Sequence, residues 1–428
     1  MMSTICVLGL GYIGLPTGSM FALAGNTVIG VDPSPRVQAA LQAGLASIEE
    51  PELQTLVTAA INSGRLRVRA RPEPADAYII AVPTPLDAVS NTADLSYVEQ
   101  AARDIAPLLR RGNLVVLEST VPPGTTRDVL APILATSGLE PGRDIHLAHC
   151  PERVLPGRIL VELEQNDRLA GGLTPACAEA AAELYRSFVK GAIMCTNATT
   201  AEMVKVMENT YRDVNIALAN EFALIAERIG VDVWEAIGLA NHHPRVNVLT
   251  PGPGVGGHCI AVDPWFLANA APDVAPLIRA ARQVNDAMPD HVLDRLSALV
   301  SPPAPIALLG VTYKADVDDI RESPALRVAE LAIARGFDVR LCDPHVNPDA
   351  AGLPAPLLGL VHAVRDAEAV VLLVSHRAFG DLDVDLVGSL MAHRRVLDAR
   401  NCIDRQLWES RGFEVGVLGT AATSRIHA

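Results

Sequence analysis

Several absences narrow the possibilities for this 428-residue chain. No apolar run is long enough to cross a membrane, and the N-terminus lacks the basic segment and cleavage site of a secretory leader. The seven cysteines are odd in number and never spaced as CxxC, which suits a reducing cytoplasm and disfavours a structural zinc site. The net charge of −14 argues against a nucleic-acid surface. An anionic ligand remains compatible with it, because such a ligand needs only a local cluster of arginines.

What the sequence has is a regular alternation of strands and helices. The segments at 5–25, 27–32, 77–83 and 114–120 follow the βαβ rhythm of a parallel sheet covered on both faces. Residues 201–229 and 275–300 instead have helical periodicity without strands. After the linker SPPAP at 301–305 the alternation returns. We therefore predict two Rossmann-like, doubly wound α/β domains joined by a helical central domain with a long connecting helix. The predicted bounds are 1–200, 201–300 and 301–428.

A dinucleotide-binding fingerprint opens the chain. Gly9, Gly11 and Gly14 form a GxGxxG that follows a predicted strand and begins a predicted helix. Glycines at these positions allow a tight turn and the close approach of a pyrophosphate to the helix N-terminus. Asp32, which ends the next strand, would accept from a ribose 2′-hydroxyl and repel a 2′-phosphate, favouring NAD over NADP. The alternative is a glycine turn in a Rossmann-like domain without cofactor.

Polar residues follow two later strands and a proline-bounded loop. Thr84 and Thr120 lie just past strand ends, at the edge that faces the ligand crevice of a doubly wound sheet. Either threonine could instead cap a helix or shape a turn. In the loop at 150–157, Glu152 and Arg153 are adjacent. They form an ordinary surface turn, or else Glu152 handles a proton or water while Arg153 meets a phosphate or carboxylate.

The first long helical segment has three polar residues on one face, because Lys205, Asn209 and Arg212 are spaced i, i+4 and i+7. Apolar residues crowd the same segment, which indicates a largely buried helix whose lysine can serve in proton transfer. A solvated polar stripe is the alternative. His242 and His243 follow as a pair, but no further ligands appear at metal spacing, and we predict no metal site.

The most informative segment is GPGVGGHCIAVDPWF at 252–266. It places Cys259 behind a run of glycines and four residues ahead of Asp263. A thiolate in such a loop is a strong nucleophile, and beside a hydride acceptor it can oxidise an aldehyde through a thioester. The alternatives are a buried free cysteine and an aspartate that caps the next helix. A cationic end for a second nucleotide pocket is offered by Tyr313, Lys314 and Arg321.

Taken together, the motifs resemble the UDP-glucose/GDP-mannose dehydrogenase family over nearly the whole chain. In order they are GLGYIGLP, AVPTP, ESTVPPGTT, CPERVLPG, AEMVKVMENTYRDVNIALANE, GPGVGGHCIAVDP and GVTYKADVDDIRESPA. CPERVLPG, NTYRDVNIA, HHPRVN and GGHCIAVDPWF look most like the UDP-N-acetyl-D-mannosamine branch. The resemblance implies a cytoplasmic, NAD-dependent enzyme of surface-polysaccharide precursor synthesis. It also implies a homodimer or higher homo-oligomer in which Arg245 serves the site of a neighbouring subunit.

The resemblance further implies a four-electron oxidation at C6 of the sugar. NAD⁺ takes a hydride to leave an aldehyde, Cys259 adds to form a thiohemiacetal, a second NAD⁺ oxidises this to a thioester, and water releases the uronate. Lys205 would exchange protons and Asn209 would hold the oxyanion. Water would be activated by Asp263, with Glu152 and Thr120.

The binding residues implied by the resemblance form two sets. The cofactor would contact Gly9, Gly11, Tyr12, Ile13, Gly14, Asp32, Arg36, Thr84, Thr120 and Arg321. The UDP-sugar would contact Arg153, Val154, Lys205, Asn209, Arg212, His243, Arg245, Gly256, Tyr313 and Lys314. The sequence departs from the family pattern at one point, because the arginine expected after the ribose-binding acid falls one residue earlier, at Arg36.

Three alternatives remain open at this stage. The sugar could be UDP-N-acetylglucosamine or UDP-glucose. A single-step alcohol dehydrogenase of the 6-phosphogluconate or 3-hydroxyacid type would need neither the cysteine loop nor a second α/β domain. A non-catalytic NAD- or sugar-nucleotide-binding protein would need none of Cys259, Lys205 and Asp263. The number of NADH molecules formed per sugar separates the dehydrogenase, the single-step enzyme and the binding protein as two, one and none.

Overall fold

The structure is a computed structural model that describes residues 3–48, 50–87, 90–155, 157–257 and 259–421. Two motif residues of the predicted site, Pro156 and His258, lie outside this part of the chain. The chain divides into two compact units, Met1–Glu208 with Trp265–Pro272 and Asn209–Pro264 with Asp273–Ala428. Among the described residues, no helix has the length and apolar character needed to span a bilayer. The three-part division at 200 and 300 stays a prediction.

The first unit is built on an eight-stranded sheet. Its strands are β1 Thr4–Leu8, β2 Thr27–Val31, β3 Leu66–Arg69, β4 Ala77–Ile80, β5 Leu114–Leu117, β6 His146–His149, β7 Arg168–Gly172 and β8 Ile193–Asn197. Their order is β3-β2-β1-β4-β5-β6-β7-β8, and every pair is parallel except β6 and β7. The first six strands follow the 3-2-1-4-5-6 order of dinucleotide-binding folds, which places the ligand crevice between β1 and β4.

Helices cover both faces of this sheet. They are α1 Gly14–Leu23, α2 Pro35–Gln42, α3 Leu53–Asn62, α4 Ser96–Ile105, α5 Ala131–Ala135, α6 Ile159–Gln165 and α7 Pro175–Tyr185. Successive residues of β1 enter different cores: Ile5 and Val7 pack with α1, α3 and α7, and Cys6 and Leu8 pack with α4. Burial on both faces explains why these strands are continuous apolar runs rather than alternating ones.

Four helices follow, α8 Ala198–Ile229, α9 Val233–Ala240, α10 Asp263–Ala270 and α11 Pro276–Leu299. The 32-residue α8 begins in the first unit and ends in the second. The prediction that this helix is largely buried is wrong. Its polar residues Asp213 and Asn220 are fully buried, whereas Tyr211 is 68% exposed and Ile229 is 69% exposed. One side of the helix therefore packs into the protein while apolar side chains remain open on another.

The last part of the chain forms a five-stranded parallel sheet in the second unit. Its strands are β9 Pro305–Leu309, β10 Asp338–Cys342, β11 Ala369–Leu372, β12 Arg395–Asp398 and β13 Glu414–Val417. The order is β10-β9-β11-β12-β13, which is a doubly wound arrangement with its switch point between β9 and β11. The surrounding helices are α12 Pro324–Ala334, α13 Leu360–Val364, α14 Arg377–Gly380, α15 Val384–Leu390 and α16 Arg405–Ser410. Two doubly wound sheets and the intervening helices confirm the predicted fold class.

The two sheets share one detailed turn. Gly9 follows β1 with φ +91°, and Gly310 follows β9 with φ +90°. Asp32 accepts hydrogen bonds from the backbone N–H after Gly9 and from the N–H two residues beyond itself, at 3.0 and 2.9 Å. Asp343 makes the same two bonds beside Gly310, at 2.8 and 2.9 Å. The similarity of the two sheets therefore extends to the hydrogen bonds of this turn.

Candidate active site

The turn after β1 has the shape that a pyrophosphate requires. A Cβ on Gly9 would lie 2.5 Å from the Ala81 carbonyl oxygen, and a Cβ on Gly14 would lie 1.9 Å from that of Gly9, so neither position accommodates a side chain. A Cβ on Gly11 would meet none of the described atoms within 4 Å. Gly11 therefore faces open space just before the N-terminus of α1. These residues fit a dinucleotide, whose phosphates would bind there.

Asp32 ends β2 beside this turn. The N–H groups of Leu10 and Ser34 hold its two carboxylate oxygens, and the remaining lone pairs are available to ribose hydroxyls. The carboxylate is thus oriented before any ligand arrives. The other predicted cofactor residues nearby are Tyr12 and Ile13, half-buried at the turn, and Arg36, exposed on α2. Their contacts with the cofactor stay predictions.

The structure brings Thr84 and Thr120 together. The Thr84 hydroxyl donates to the Thr120 carbonyl at 2.7 Å, and the Ser119 hydroxyl donates to the Val82 carbonyl at 2.7 Å. The loops after β4 and β5 are therefore joined at the carboxyl edge of the sheet, where ligands of this fold bind.

Glu202, on the first turns of α8, is a site-forming residue that the sequence analysis did not predict. Its buried carboxylate accepts from the N–H groups of Gly124 at 2.6 Å and Thr126 at 2.7 Å. Burial raises the pKa of Glu202, while these bonds act to lower it. The loop that follows Thr120 is thereby fastened to the helix that bears Lys205.

Glu152 belongs to a buried charge cluster. Arg168 contacts both Glu152 and Glu118, its guanidinium lies 4.2 Å from the centre of the Tyr185 ring, and the Tyr185 hydroxyl donates to Glu118 at 2.6 Å. Burial raises the pKa of Glu118 to about 7, against the opposing effect of Arg168. The Glu152 carboxylate is thus paired with an arginine and also accepts from the Arg153 N–H at 2.8 Å. The predicted role of Glu152 in activating water stays a prediction.

Arg153 and Val154 lie in the loop that follows Glu152. The Arg153 guanidinium forms a two-point ion pair with Glu208 of α8, at 2.6 and 3.1 Å. Val154 packs half-buried against the core of the first unit. A substrate phosphate or carboxylate at Arg153 would therefore compete with Glu208.

Lys205 is half-buried on α8. Within the described residues of the first unit, its ammonium makes no ion pair or hydrogen bond. The imidazole of His149, at the end of β6, is fully buried, and burial, together with the positive charge of Lys205, lowers the pKa of His149 to about 3. The His149 ring is therefore neutral near pH 7, and the predicted proton transfer by Lys205 stays a prediction.

Three predicted catalytic residues meet in the second unit. The Cys259 carbonyl accepts from the Asp263 N–H at 2.9 Å, so the exposed cysteine precedes the aspartate by one helical turn. The buried Asp263 carboxylate accepts from the Asn209 side-chain amide at 2.6 Å. Asp263 is itself the first residue of α10. Three of the predicted catalytic residues, Asn209, Cys259 and Asp263, are thereby joined by hydrogen bonds.

The glycines before Cys259 are required by close packing. A Cβ on Gly256 would lie 2.2 Å from the Glu322 carbonyl oxygen. Gly257 has φ +79°, and a Cβ there would lie 2.8 Å from the Tyr313 ring. The glycine loop before Cys259 therefore packs against Tyr313, which is predicted to contact the sugar nucleotide. Lys314 follows directly, and its carbonyl accepts from the Thr312 hydroxyl at 2.7 Å.

Arg400 is a further candidate that the sequence analysis missed. It follows β12 at the carboxyl edge of the second sheet, and a Cβ on Gly252 would lie 2.1 Å from its Nη1 atom. Among the described residues its guanidinium makes no ion pair, and burial lowers its pKa. A half-buried arginine without a carboxylate partner is suited to a phosphate. Only its place after a strand in RRVLDARN could have indicated it.

The remaining predicted residues are more open. Arg212 is exposed on α8, and Arg321 pairs with Asp319 at 2.6 Å. His243 and Arg245 are exposed in the turn after α9, where the Arg245 N–H donates to the His243 ring at 3.4 Å. The roles of these four residues in the site stay predictions.

One cluster has metal-like spacing but satisfies its own hydrogen bonds. Asp316, His345 and His376 present atoms within 4.8 Å of one another. The His376 ring accepts from the Asp316 N–H at 2.9 Å and lies 3.0 Å from the Asp343 carboxylate, while Arg377 pairs with Asp316 at 2.8 Å. Both ring nitrogens of His376 are therefore engaged, and the cluster braces the loop after β9.

Comparison with known proteins matches three family domains to this chain. Residues 3–189 match the NAD binding domain of the UDP-glucose/GDP-mannose dehydrogenase family, residues 199–287 its central domain and residues 307–405 its UDP binding domain.

Relatives of known name match nearly the full length. The UDP-N-acetyl-D-mannosamine dehydrogenase of Methanocaldococcus jannaschii is 49% identical over 97% of this chain and 96% of its own. The NDP-N-acetyl-D-galactosaminuronic acid dehydrogenase of Ralstonia nicotianae is 50% identical over 93% and 95%. A solved UDP-D-ManNAc dehydrogenase from Pyrococcus horikoshii superposes with a TM-score of 0.90 at 45% identity, covering 97% and 99%. The chain therefore belongs to the UDP-glucose/GDP-mannose dehydrogenase family and is an NAD-dependent UDP-sugar dehydrogenase.

Proposed function

We propose that this enzyme oxidises UDP-N-acetyl-D-mannosamine to UDP-N-acetyl-D-mannosaminuronate through a thioester on Cys259. The observation that carries the chemistry is the placement of Cys259 one turn before Asp263, whose carboxylate is held by Asn209 at 2.6 Å. The sugar is inferred from the two relatives named for it, one by sequence and one by structure.

Each catalytic residue has a proposed role in the two oxidations. NAD⁺ supplies the hydride acceptor for both oxidations, so two NADH are formed per sugar. Lys205 takes the proton of the C6 hydroxyl as the aldehyde forms, and returns a proton when the Cys259 thiolate adds to the aldehyde carbon. It takes the hydroxyl proton of the thiohemiacetal as the second hydride leaves and the thioester forms. The Asn209 amide donates to the developing oxyanion. Asp263, with Glu152 and Thr120, accepts a proton from the water that attacks the thioester, which releases the carboxylate and the thiol.

Substrate recognition is proposed from charge and position. Arg153, Arg212 and Arg400 are suited to the phosphates and carboxylate of a nucleotide-sugar acid. The remaining contacts proposed for the sugar nucleotide come from Val154, Lys205, Asn209, His243, Arg245, Gly256, Tyr313 and Lys314. Those proposed for the cofactor come from Tyr12, Ile13, Arg36, Thr84, Thr120 and Arg321.

A second sugar is supported by one observation. A relative that is 50% identical is named for an N-acetyl-D-galactosaminuronic acid product. A panel of UDP-sugars distinguishes the two, with the N-acetylated manno, gluco and galacto epimers and UDP-glucose supplied at equal concentration. We expect the highest kcat/KM for the manno epimer, with two NADH per uronate. A galacto or gluco preference would overturn the sugar assignment, and a yield of one NADH would overturn the thioester route.

We further propose a homodimer formed through α8. In the second unit this helix exposes an apolar stripe spaced by three, four and seven residues, made of Tyr211, Leu218, Phe222, Ile225 and Ile229. Such spacing keeps all five on one face of a helix. A second copy of the same helix is the occupant that this self-complementary stripe fits best. The proposed division of labour is NAD binding by 1–200, dimerisation by 201–300 and UDP-sugar binding by 301–428, in a cytoplasmic enzyme.

A further inference from the structure

A hydrogen-bonded network of buried side chains connects α8 to the start of the nucleophile loop. This loop comprises residues 252–263. The Asn220 side-chain oxygen accepts from the Gly252 N–H at 2.9 Å. The Asn220 amide donates to Asn285 of α11 at 2.9 Å, and Asn285 donates to the Asp213 carboxylate at 2.8 Å. Arg282 completes the network by forming an ion pair with Asp213 at 2.6 Å.

All four side chains of this network are buried. Asp213 and Asn220 are 0% exposed, Asn285 is 1% exposed and Arg282 is 3% exposed. A buried donor or acceptor that loses its partner costs about 1–3 kcal/mol, so each member depends on the next. Within the loop, Gly254 is also close to α11, since a Cβ there would lie 3.0 Å from the Asn285 carbonyl oxygen.

The two ends of the nucleophile loop are held by the same helix. Asn209 binds Asp263 at one end, and Asn220 binds Gly252 at the other. Eleven residues are almost exactly three turns of an α-helix, so the two asparagines lie on one face, about 16 Å apart along the axis. A rigid helix thus sets the distance between the loop ends, and Cys259 lies between them.

The geometry points to Asn220 and Asn285 as positioning residues for Cys259. They fix the backbone of the nucleophile loop so that the thiol meets the aldehyde carbon, without touching substrate or cofactor themselves. The inference rests on the proposed role of Cys259. Small displacements of a reacting group cost up to about a hundredfold in rate, so release of one loop end affects the covalent steps most.

The test replaces Asn220 with alanine, with Asn215→Ala as the matched control. Asn215 is on the same helix, but its amide donates to the Tyr211 carbonyl one turn away within that helix. Stopped-flow absorbance follows the first and second NADH formed per site, and peptide mass spectrometry follows the alkylation of Cys259 by iodoacetamide. We expect Asn220→Ala to slow the formation of the second NADH at least about tenfold. We expect the rate of formation of the first NADH and the KM for NAD⁺ to stay within about threefold of the wild-type values. We expect the rate of Cys259 alkylation to change at least about fivefold. Asn215→Ala should resemble the wild type.

A second variant keeps the inference testable if alanine impairs folding. Asn220→Asp preserves side-chain volume and the acceptor for Gly252 but loses the donor to Asn285, so its second NADH should fall between that of alanine and that of the wild type. A folded Asn220→Ala enzyme with wild-type alkylation and a normal second NADH would refute the positioning role. Failure of both variants to fold would assign Asn220 to general stability instead. Failure of the proposed function is separate, because Cys259→Ser would then turn over normally.

Discussion

The thiol of Cys259 is the atom on which the proposed chemistry depends. A serine could add to the aldehyde, but its ester would be a poorer acyl donor to water. We expect Cys259→Ser to fold, to bind NAD⁺ and to lose two or more orders of magnitude in uronate formation, equivalent to about 3 kcal/mol in barrier. Steady-state turnover measures the loss, and Cys195→Ser, at another exposed cysteine, is the control. Near wild-type turnover by Cys259→Ser would refute the thioester route.

Asp32 makes a prediction about the cofactor. Its carboxylate is already oriented by two backbone N–H groups, so a 2′-phosphate would meet a fixed negative charge. Asp32→Asn keeps an acceptor for these bonds while removing the charge, and Asp32→Ala removes both. We expect the wild type to prefer NAD⁺, and Asp32→Asn to narrow the ratio of kcat/KM for NAD⁺ over NADP⁺ by about tenfold, or 1.4 kcal/mol. A wild-type preference for NADP⁺ would contradict the interpretation of the fingerprint.

At the scale of elements, the charge cluster that joins β5, β7 and α7 predicts a pH dependence. Burial raises the pKa of Glu118 from 4.5 to about 7, so between these values the folded protein keeps a proton that the unfolded chain has lost. The stability contributed by the neutral carboxyl is therefore complete below pH 4.5 and is lost as the pH rises through 7.

Glu118→Gln should remove this dependence, because a neutral amide replaces the carboxyl and Glu152 still pairs with Arg168. We expect the variant to melt like the wild type near pH 4.5, and to be more stable by about 3 kcal/mol at pH 8. Thermal unfolding at a series of pH values measures the difference. Glu183→Gln, on the exposed side of α7, should show no such change. A constant offset at all pH values would mean that Glu118 is ionised in the folded state.

The long helix α8 shows how one element serves several purposes. Its first turns hold the loop after Thr120 through Glu202, and its middle turns hold both ends of the nucleophile loop through Asn209 and Asn220. Its apolar stripe remains exposed. The three polar residues predicted to share one face differ in burial, since Lys205 and Asn209 are half-buried and Arg212 is exposed. Helical period alone does not say which residues meet the protein.

For the whole molecule, the proposal that Arg245 serves a neighbouring site makes a complementation experiment possible. Cys259→Ser and Arg245→Ala enzymes are each expected to be inactive. A mixed dimer would contain one site with a normal cysteine and a normal arginine from its partner. Random exchange of subunits should therefore restore about a quarter of wild-type activity. Subunits mixed without exchange are the control. No recovery after verified exchange would place Arg245 in the site of its own chain, and a fully active monomer in sedimentation would exclude the dimer.

The sequence by itself determined the fold class, the cofactor and the family. These follow from local chemistry, since glycines, strand-ending acids and apolar periodicity act over a few residues. The GxGxxG, Asp32 and the Cys259–Asp263 spacing were all visible as short patterns. Four strands were not predicted, β3 and β6 to β8, since charged side chains in LRVR or glycines in RLAGG weaken the apolar runs on which the prediction depends.

Only the tertiary structure decided which distant residues meet. The pairing of Asn220 with Gly252 spans 32 residues, that of Asn209 with Asp263 spans 54, and that of Glu202 with Gly124 spans 78. Nothing local distinguishes a buried asparagine from a solvated one, because both satisfy the same hydrogen-bonding groups, one with protein and the other with water. The hydrogen-bond partners of Asn220 and Glu202, and the position of Arg400 beside Gly252, are therefore properties of the folded chain.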